Sequence, residues 1–188
     1  MVILIAGANG LIGRDLVKSL SKNYKIIAIY RSNKKNIIKN KNVQFIKHDF
    51  SKNLKFSLSL MPDYLVNCIA THEFSKKKNY FEYYDSNVAA VKNLVSYGEK
   101  NKIKMLINLS TISIYGEVKK KLLNENHKPI NQNTLSKTKL LGEQILKRSD
   151  LNYVNLRLPG VLVQSNKVKN RPWLNNMINQ IKNNKNIK

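Results

Sequence analysis

Val2-Ile3-Leu4-Ile5-Ala6-Gly7-Ala8-Asn9-Gly10-Leu11-Ile12-Gly13 is the stretch whose reading decides the fold. Residues 2–6 are apolar without alternation, the pattern of a parallel strand buried on both faces. Glycines follow at 7, 10 and 13, and Leu11–Ser21 then carries Leu11, Ile12, Leu16, Val17 and Leu20 at helical spacing. In a strand–loop–helix unit such glycines permit the tight turn, let the backbone approach an anion and allow close helix–strand packing. The helix N-terminus adds free N–H groups. A glycine triad alone marks many ordinary turns; its place between an apolar strand and an amphipathic helix makes this one a pyrophosphate loop. Gly7, Asn9, Gly10, Leu11, Ile12 and Gly13 are its candidate contacts.

Further strands read at Tyr24–Tyr30, Val43–Ile46, Tyr64–Ala70 (after Pro62 and Asp63), Lys104–Ser110 and Tyr153–Leu158. Helical patterns lie at Phe81–Lys100 and Thr134–Arg148. Strands alternating with helices imply βαβ units, hence an α/β doubly wound parallel sheet (a Rossmann fold) with strand order 3-2-1-4-5-6. The length of 188 residues suits one well-buried domain, read here as residues 1–165. Residues 166–188 follow, with Trp173, Met177, Ile178 and Ile181 in a helical stretch Arg171–Lys188; the family that the later motifs resemble implies that they start a truncated substrate-binding domain.

Composition narrows the function classes. No apolar run reaches the ~18–20 residues of a membrane span, and the N-terminus enters a glycine loop without a basic leader, so a cytoplasmic protein is expected. The single cysteine, Cys68, cannot form an internal disulfide, and no metal-ligand cluster surrounds it. The net charge of +23 raises the question of nucleic acid. The lysines are spread along the chain beside many Asn and Ile, residues that share AT-rich codons. The tracts Lys34–Lys35, Lys76–Lys78 and Lys119–Lys121 lack interleaved aromatics, so a solvated basic surface is the reading, with an attraction for anionic small molecules.

At the end of the second strand an Asp or Glu would receive the 2′-hydroxyl of NAD. Arg31-Ser32-Asn33-Lys34 stands there instead, and a guanidinium suits a 2′-phosphate, which leans the cofactor towards NADP over NAD.

The glycine loop is followed by Asp49-Phe50, by Asn67-Cys68-Ile69-Ala70 and by Tyr83-Tyr84-Asp85-Ser86-Asn87-Val88. Then come Ser110-Thr111-Ile112-Ser113-Ile114-Tyr115-Gly116, Lys137-Thr138-Lys139-Leu140 with Glu143, and Leu156-Arg157-Leu158-Pro159-Gly160. In this order and spacing these stretches resemble the NAD-dependent epimerase/dehydratase family of extended short-chain dehydrogenases, over about residues 1–165. The resemblance implies a nucleotide-sugar epimerase, dehydratase or reductase. It implies that Asp49 and Phe50 meet the adenine, that Cys68, Ile69 and Ala70 line the dinucleotide, and that Asn87 steadies the active-site backbone. Thr111 would hydrogen-bond the reacting sugar oxygen and Lys139 the nicotinamide ribose. It also implies a homodimer through the helices at 81–100 and 134–148.

One departure bears on activity. The family's Tyr-x-x-x-Lys places both side chains on one helix face, where the ammonium lowers the tyrosine pKa and the tyrosine moves the proton. Here Lys139 is present but the tyrosine position holds Leu135, which can neither donate nor accept a proton. Tyr115-Gly116-Glu117-Val118-Lys119 spells the same pattern, but it directly follows the fifth strand and Gly116 argues against a helix there. Tyr115 remains a candidate stand-in beside the substrate. Weak activity, or a catalytically inactive relative that binds a dinucleotide or only a partner, is the expectation.

Overall fold

β1 (Val2–Ala6) is buried along its whole length because it pairs on both sides. On one side lie β2 (Lys25–Tyr30) and then β3 (Val43–Lys47); on the other lie β4 (Tyr64–Asn67), β5 (Met105–Thr111) and β6 (Tyr153–Leu158). All pairs are parallel and the order is β3-β2-β1-β4-β5-β6, the doubly wound arrangement read from the sequence. This computed structural model describes residues 1–32, 40–52, 58, 60–71, 79–119, 121–161 and 172–183. The winding reverses between β1 and β4, and a crevice opens beyond the carboxyl ends of strands at such a point.

The two-residue repeat of the strands divides the core. Ile3, Ile5, Ile26, Ala28 and Val66 face α1 (Leu11–Leu20), which contributes Val17 with Leu16 and Leu20. Leu4, Ala6, Ile27, Leu65 and Leu106 face the opposite layer, where Val91, Leu94 and Val95 come from α3 (Ala90–Lys100) and Leu146 from α4 (Thr134–Lys147). Asn133 caps α4, its side chain accepting from Ser136 N. Asn79 and Glu82 form a reciprocal capping box at the start of α2 (Tyr80–Tyr84).

Several element boundaries differ from the sequence reading. The fourth strand stops at Asn67 instead of Ala70, because Asn67 Oδ1 accepts from Ile69 N at 3.0 Å and turns the chain out of the ladder. The long helix at 81–100 is interrupted by a wider π turn, Asp85–Ala89, between α2 and α3. The extra residue pushes the Asn87 carbonyl towards α4, where a Cβ on Gly142 would lie 2.5 Å from it. β5 continues through Thr111 into a 3-10 turn, Ile112–Tyr115, which ends at Gly116 with φ +66°. The last helix, α5, is Pro172–Lys182.

Asn33, Lys34, Lys35, Lys76–Lys78 and the boundary at 165/166 lie outside the described residues, as does the side chain of Trp173. Lys119 and Lys121 are exposed. Among the described residues no helix is long and apolar enough to cross a membrane, and no three His, Cys, Asp or Glu side chains gather as a metal cluster would require.

Candidate dinucleotide site

The glycine loop is built from backbone hydrogen bonds. Gly7 N and Ala8 N both donate to Ile29 O on β2, at 3.1 and 2.9 Å, and Gly10 N donates to Gly7 O at 2.9 Å. Gly7 has φ +80°, and a Cβ there would also stand 2.9 Å from the Cys68 carbonyl carbon, so glycine is required twice over. A Cβ on Gly13 would fall 2.3 Å from Gly7 O, which is how α1 packs directly onto the loop. The first helical bond runs from Arg14 N to Gly10 O. The N–H groups of Leu11, Ile12 and Gly13 are thereby left without an intrahelical acceptor, pointing where an anion is stabilised.

Beside the loop lies an open cleft of about 320 Å³. Gly7, Asn9, Gly10, Arg31, Asp49, Phe50, Cys68, Ile69 and Ala70 line it, all of them singled out in the sequence. Tyr30, Ser32, His48, Ser51, Asp85 and Ser86 also line it and were assigned no role there. His48 and Ser51 were legible in principle, since the residues just past parallel strands form such crevices. Asp85 and Ser86 were not, because the π turn brings them to the rim.

Arg31 is exposed at the lip. Partial burial works to raise the Asp49 carboxyl, but the Ser51 amide and hydroxyl that bond it, with the charges of Arg31 and Lys52, hold it below the usual range. His48 is lowered by burial against the opposing pull of Asp49, and its ring meets Phe50 edge-on at 5.0 Å.

Lys139, 6% exposed, sits off the cleft wall. Its Nζ donates to Ile69 O at 3.1 Å and to Leu109 O at 3.0 Å, bridging the ends of β4 and β5. Burial lowers its pKa to about 8, with the charge of Glu143 opposing. Burial likewise pushes the Cys68 thiol up to about 12. At neutral pH this thiol is an inert wall, not a nucleophile.

Asn87 is fully buried, and its Nδ2 donates to Thr138 Oγ1 at 3.0 Å, one residue before Lys139. Thr111 Oγ1 accepts from Ser113 N and donates to Ser113 Oγ, both at 3.1 Å, so it caps the 3-10 turn. Leu135 is half-buried in the first turn of α4.

Tyr115 is 7% exposed, and its hydroxyl receives Arg157 Nη1 at 2.7 Å. Arg157 also makes a fork on Glu143, with Nη2 to Oε2 at 2.8 Å and Nε to both oxygens at 3.2 Å, and reaches Glu125 O at 2.9 Å. Glu143 and Arg157 stood in the sequence motifs without a role. The structure makes them the clamp that joins α4, β6 and the 3-10 turn.

The fold and this cleft frame the comparisons with known proteins. The family model described as NAD dependent epimerase/dehydratase family matches residues 3–188. The chain belongs to the NAD-dependent epimerase/dehydratase family.

No curated protein matches the chain. Among solved structures, the chain is similar to the Bordetella bronchiseptica enzyme WbmG in complex with NAD, with TM-score 0.83 and 19% identity over 100% of this chain and 61% of that one. It is also similar to UDP-glucuronic acid 4-epimerase from Bacillus cereus in complex with NAD, with TM-score 0.79 and 27% identity over 98% of this chain and 63% of that one. For the UDP-Glc/GlcNAc 4-epimerase of Campylobacter jejuni the values are 0.69 and 21%, over 83% and 52%. The chain thus spans about three fifths of the first two.

A family dinucleotide fits the residues present. The glycine cradle has no room for a Cβ on Gly13, three N–H groups await an anion, and Asp49, Ile29, Phe50 and Ala70 supply a mixed polar and apolar wall. Leu11, Ile12 and Gly13 lie in the first turn of α1 and are not among the residues lining the described cleft. Asn87, Thr111, Tyr115 and Lys139 do not line the described cleft.

Proposed function

We propose that the chain binds NAD(P) and is an epimerase-, dehydratase- or reductase-type protein acting on a nucleotide sugar, impaired by Leu135. The observation that carries this reading is the glycine cradle with its free N–H groups, opening onto a cleft whose wall ends at the carbonyl that holds Lys139. Nicotinamide, when bound, supplies hydride exchange with a sugar carbon. This chain's part is to orient it: the loop holds the pyrophosphate, Asp49 and Phe50 the adenine, and Cys68–Ala70 the middle of the dinucleotide. Lys139 would leave its two carbonyls to meet the nicotinamide ribose, and Thr111 would polarise the sugar oxygen. Arg31, exposed at the lip, favours the 2′-phosphate of NADP over NAD. The partner classes are a nucleotide sugar and a second copy of the chain, in a cytoplasmic setting, with residues 166–188 beginning a second domain.

A second reading, a dinucleotide-binding relative without turnover, draws support from one contact. The Tyr115 hydroxyl is held by Arg157 at 2.7 Å and buried, so it is a poor substitute for the missing tyrosine.

Calorimetric titration with NADPH and NADH is the test. Micromolar binding is expected, tighter for NADPH; no binding of either sinks both readings.

A further inference from the structure

β4, β5 and β6 each carry one asparagine at the same level of the sheet. Asn67 is the register partner of Asn108, and Asn108 that of Asn155. Strand alternation puts them on the face that carries Leu65, Leu106 and Tyr153, the face covered by α3 and α4. Their side chains join head to tail. Ile69 N donates to Asn67 Oδ1 at 3.0 Å, Asn67 Nδ2 to Asn108 Oδ1 at 2.8 Å, and Asn108 Nδ2 to Asn155 Oδ1 at 2.8 Å.

Asn67 and Asn108 are 0% and 2% exposed. Burying two amides among aliphatic side chains is favourable only when their hydrogen bonds are made, and leucine would serve packing alone. The run Tyr64–Ala70 has the pattern of a longer strand. The bond from Ile69 N to Asn67 stops that strand and directs Cys68–Ala70 along the cleft wall. The next carbonyl, that of Ile69, receives Lys139 Nζ. Aligned amide dipoles reinforce one another along such a chain.

We propose that Asn155, Asn108 and Asn67 form a positioning rail that holds Cys68–Ala70 in the arrangement a bound dinucleotide meets. The rail rests on the dinucleotide-binding reading for its purpose. None of the three is a catalytic residue.

Asn155→Val tests the rail from its far end. Asn155 is half-buried on the outer strand, and valine suits a strand, so β6 pairing is kept. Two readouts are compared with the parent: amide hydrogen exchange at Ile69 without ligand, and titration with NADH and NADPH. The expected result is exchange about tenfold faster at Ile69, with Leu4 in the central strand unchanged, and dinucleotide affinity weakened about three- to tenfold. One lost hydrogen bond is worth about this much. Asn155→Asp keeps the acceptor for Asn108 and should match the parent.

Faster exchange at Ile69 in Asn155→Val, from a parent that binds neither dinucleotide, would support the rail and defeat the cofactor reading. Unchanged exchange at Ile69 overturns the rail, whatever the parent binds. Equal acceleration at Leu4, or a parent-like affinity despite faster exchange at Ile69, overturns it as well by reducing the asparagines to general stability.

Discussion

Asn87 Nδ2 donates to Thr138 Oγ1 at 3.0 Å, and the Asn87 carbonyl lies where any Cβ on Gly142 would approach to 2.5 Å. The π turn and α4 are thereby locked one residue before Lys139 and again three residues after it. Thr138→Val strands the buried Asn87 amide and should cost about 1–3 kcal/mol in urea denaturation. Gly142→Ala should cost a similar ~1–3 kcal/mol by overpacking. Both should weaken dinucleotide binding, since both displace the helix that carries Lys139. Parent-like stability of Gly142→Ala would show that the two helices are not in this contact.

Lys139 supplies a pH prediction. Its folded pKa of about 8 lies below the 10.5 of a free lysine, so between these limits the unfolded chain binds more protons and stability rises with pH. Below about 8 the cost of burying the charge is fully present. Cys68, raised to about 12 from 9.0, and Tyr97, raised to about 12 from 10.0, both retain protons in the folded state, so their contributions fall as pH rises through the higher range. The clean window is therefore pH 8–9. There the parent should gain about 1 kcal/mol relative to Lys139→Met. Parallel denaturation curves for the two proteins across that window would show that the amine is not buried as described.

Arg157 and Glu143 form a forked pair with side-chain exposures of 23% and 6%. Hydrogen bonding by Glu143 raises the Arg157 pKa, with Tyr115 adding to it and burial opposing it. Glu143→Leu leaves a guanidinium without its counter-charge and should cost about 3–5 kcal/mol. Arg157→Lys keeps the charge but loses the fork and should also destabilise, because an ammonium cannot bond Glu143, Tyr115 and Glu125 together. Thermal denaturation of the two variants checks the order, with Glu143→Leu the less stable.

Leu135→Tyr restores a hydroxyl four residues before Lys139. If the chain carries a disabled enzyme, hydride or epimerisation turnover with nucleotide sugars should rise by about 10²–10⁴-fold. No gain in a variant that still binds dinucleotide would favour the binding-protein reading.

Phe81 is 72% exposed, and Tyr84 and Leu141 are also exposed, on α2 and α4. If these helices pair two copies, sedimentation should report a dimer that Leu141→Glu weakens. A parent that stays monomeric at high concentration would remove the second copy from the partners.

The glycine loop, the strand alternation and the residues past β1, β2 and β4 were legible because they depend on local chemistry: unbranched backbone, short-period hydrophobicity, and the places where strands must end. The sheet order followed from connection rules acting on those elements. The clamp of Arg157 on Glu143 and Tyr115 was not legible. It joins residues 14 and 42 positions apart, and nothing local distinguishes that arginine from other bases in a Lys-rich chain. The π turn was hidden for the same reason, since its carbonyl is accommodated by a glycine on another helix.

Sequence by itself determined the α/β doubly wound class, the place of the glycine loop and the absence of a tyrosine at 135, all properties of residue type and spacing along the chain. Tertiary structure decided what the remaining polar groups do. Asn67, Asn108 and Asn155 bond one another because they stand in register on neighbouring strands, Tyr115 is spoken for by Arg157, and Lys139 is lowered to about 8 by burial between two strand ends. Hydrogen bonding and desolvation depend on which groups meet in space, and residues from distant parts of the chain meet only once the sheet has formed.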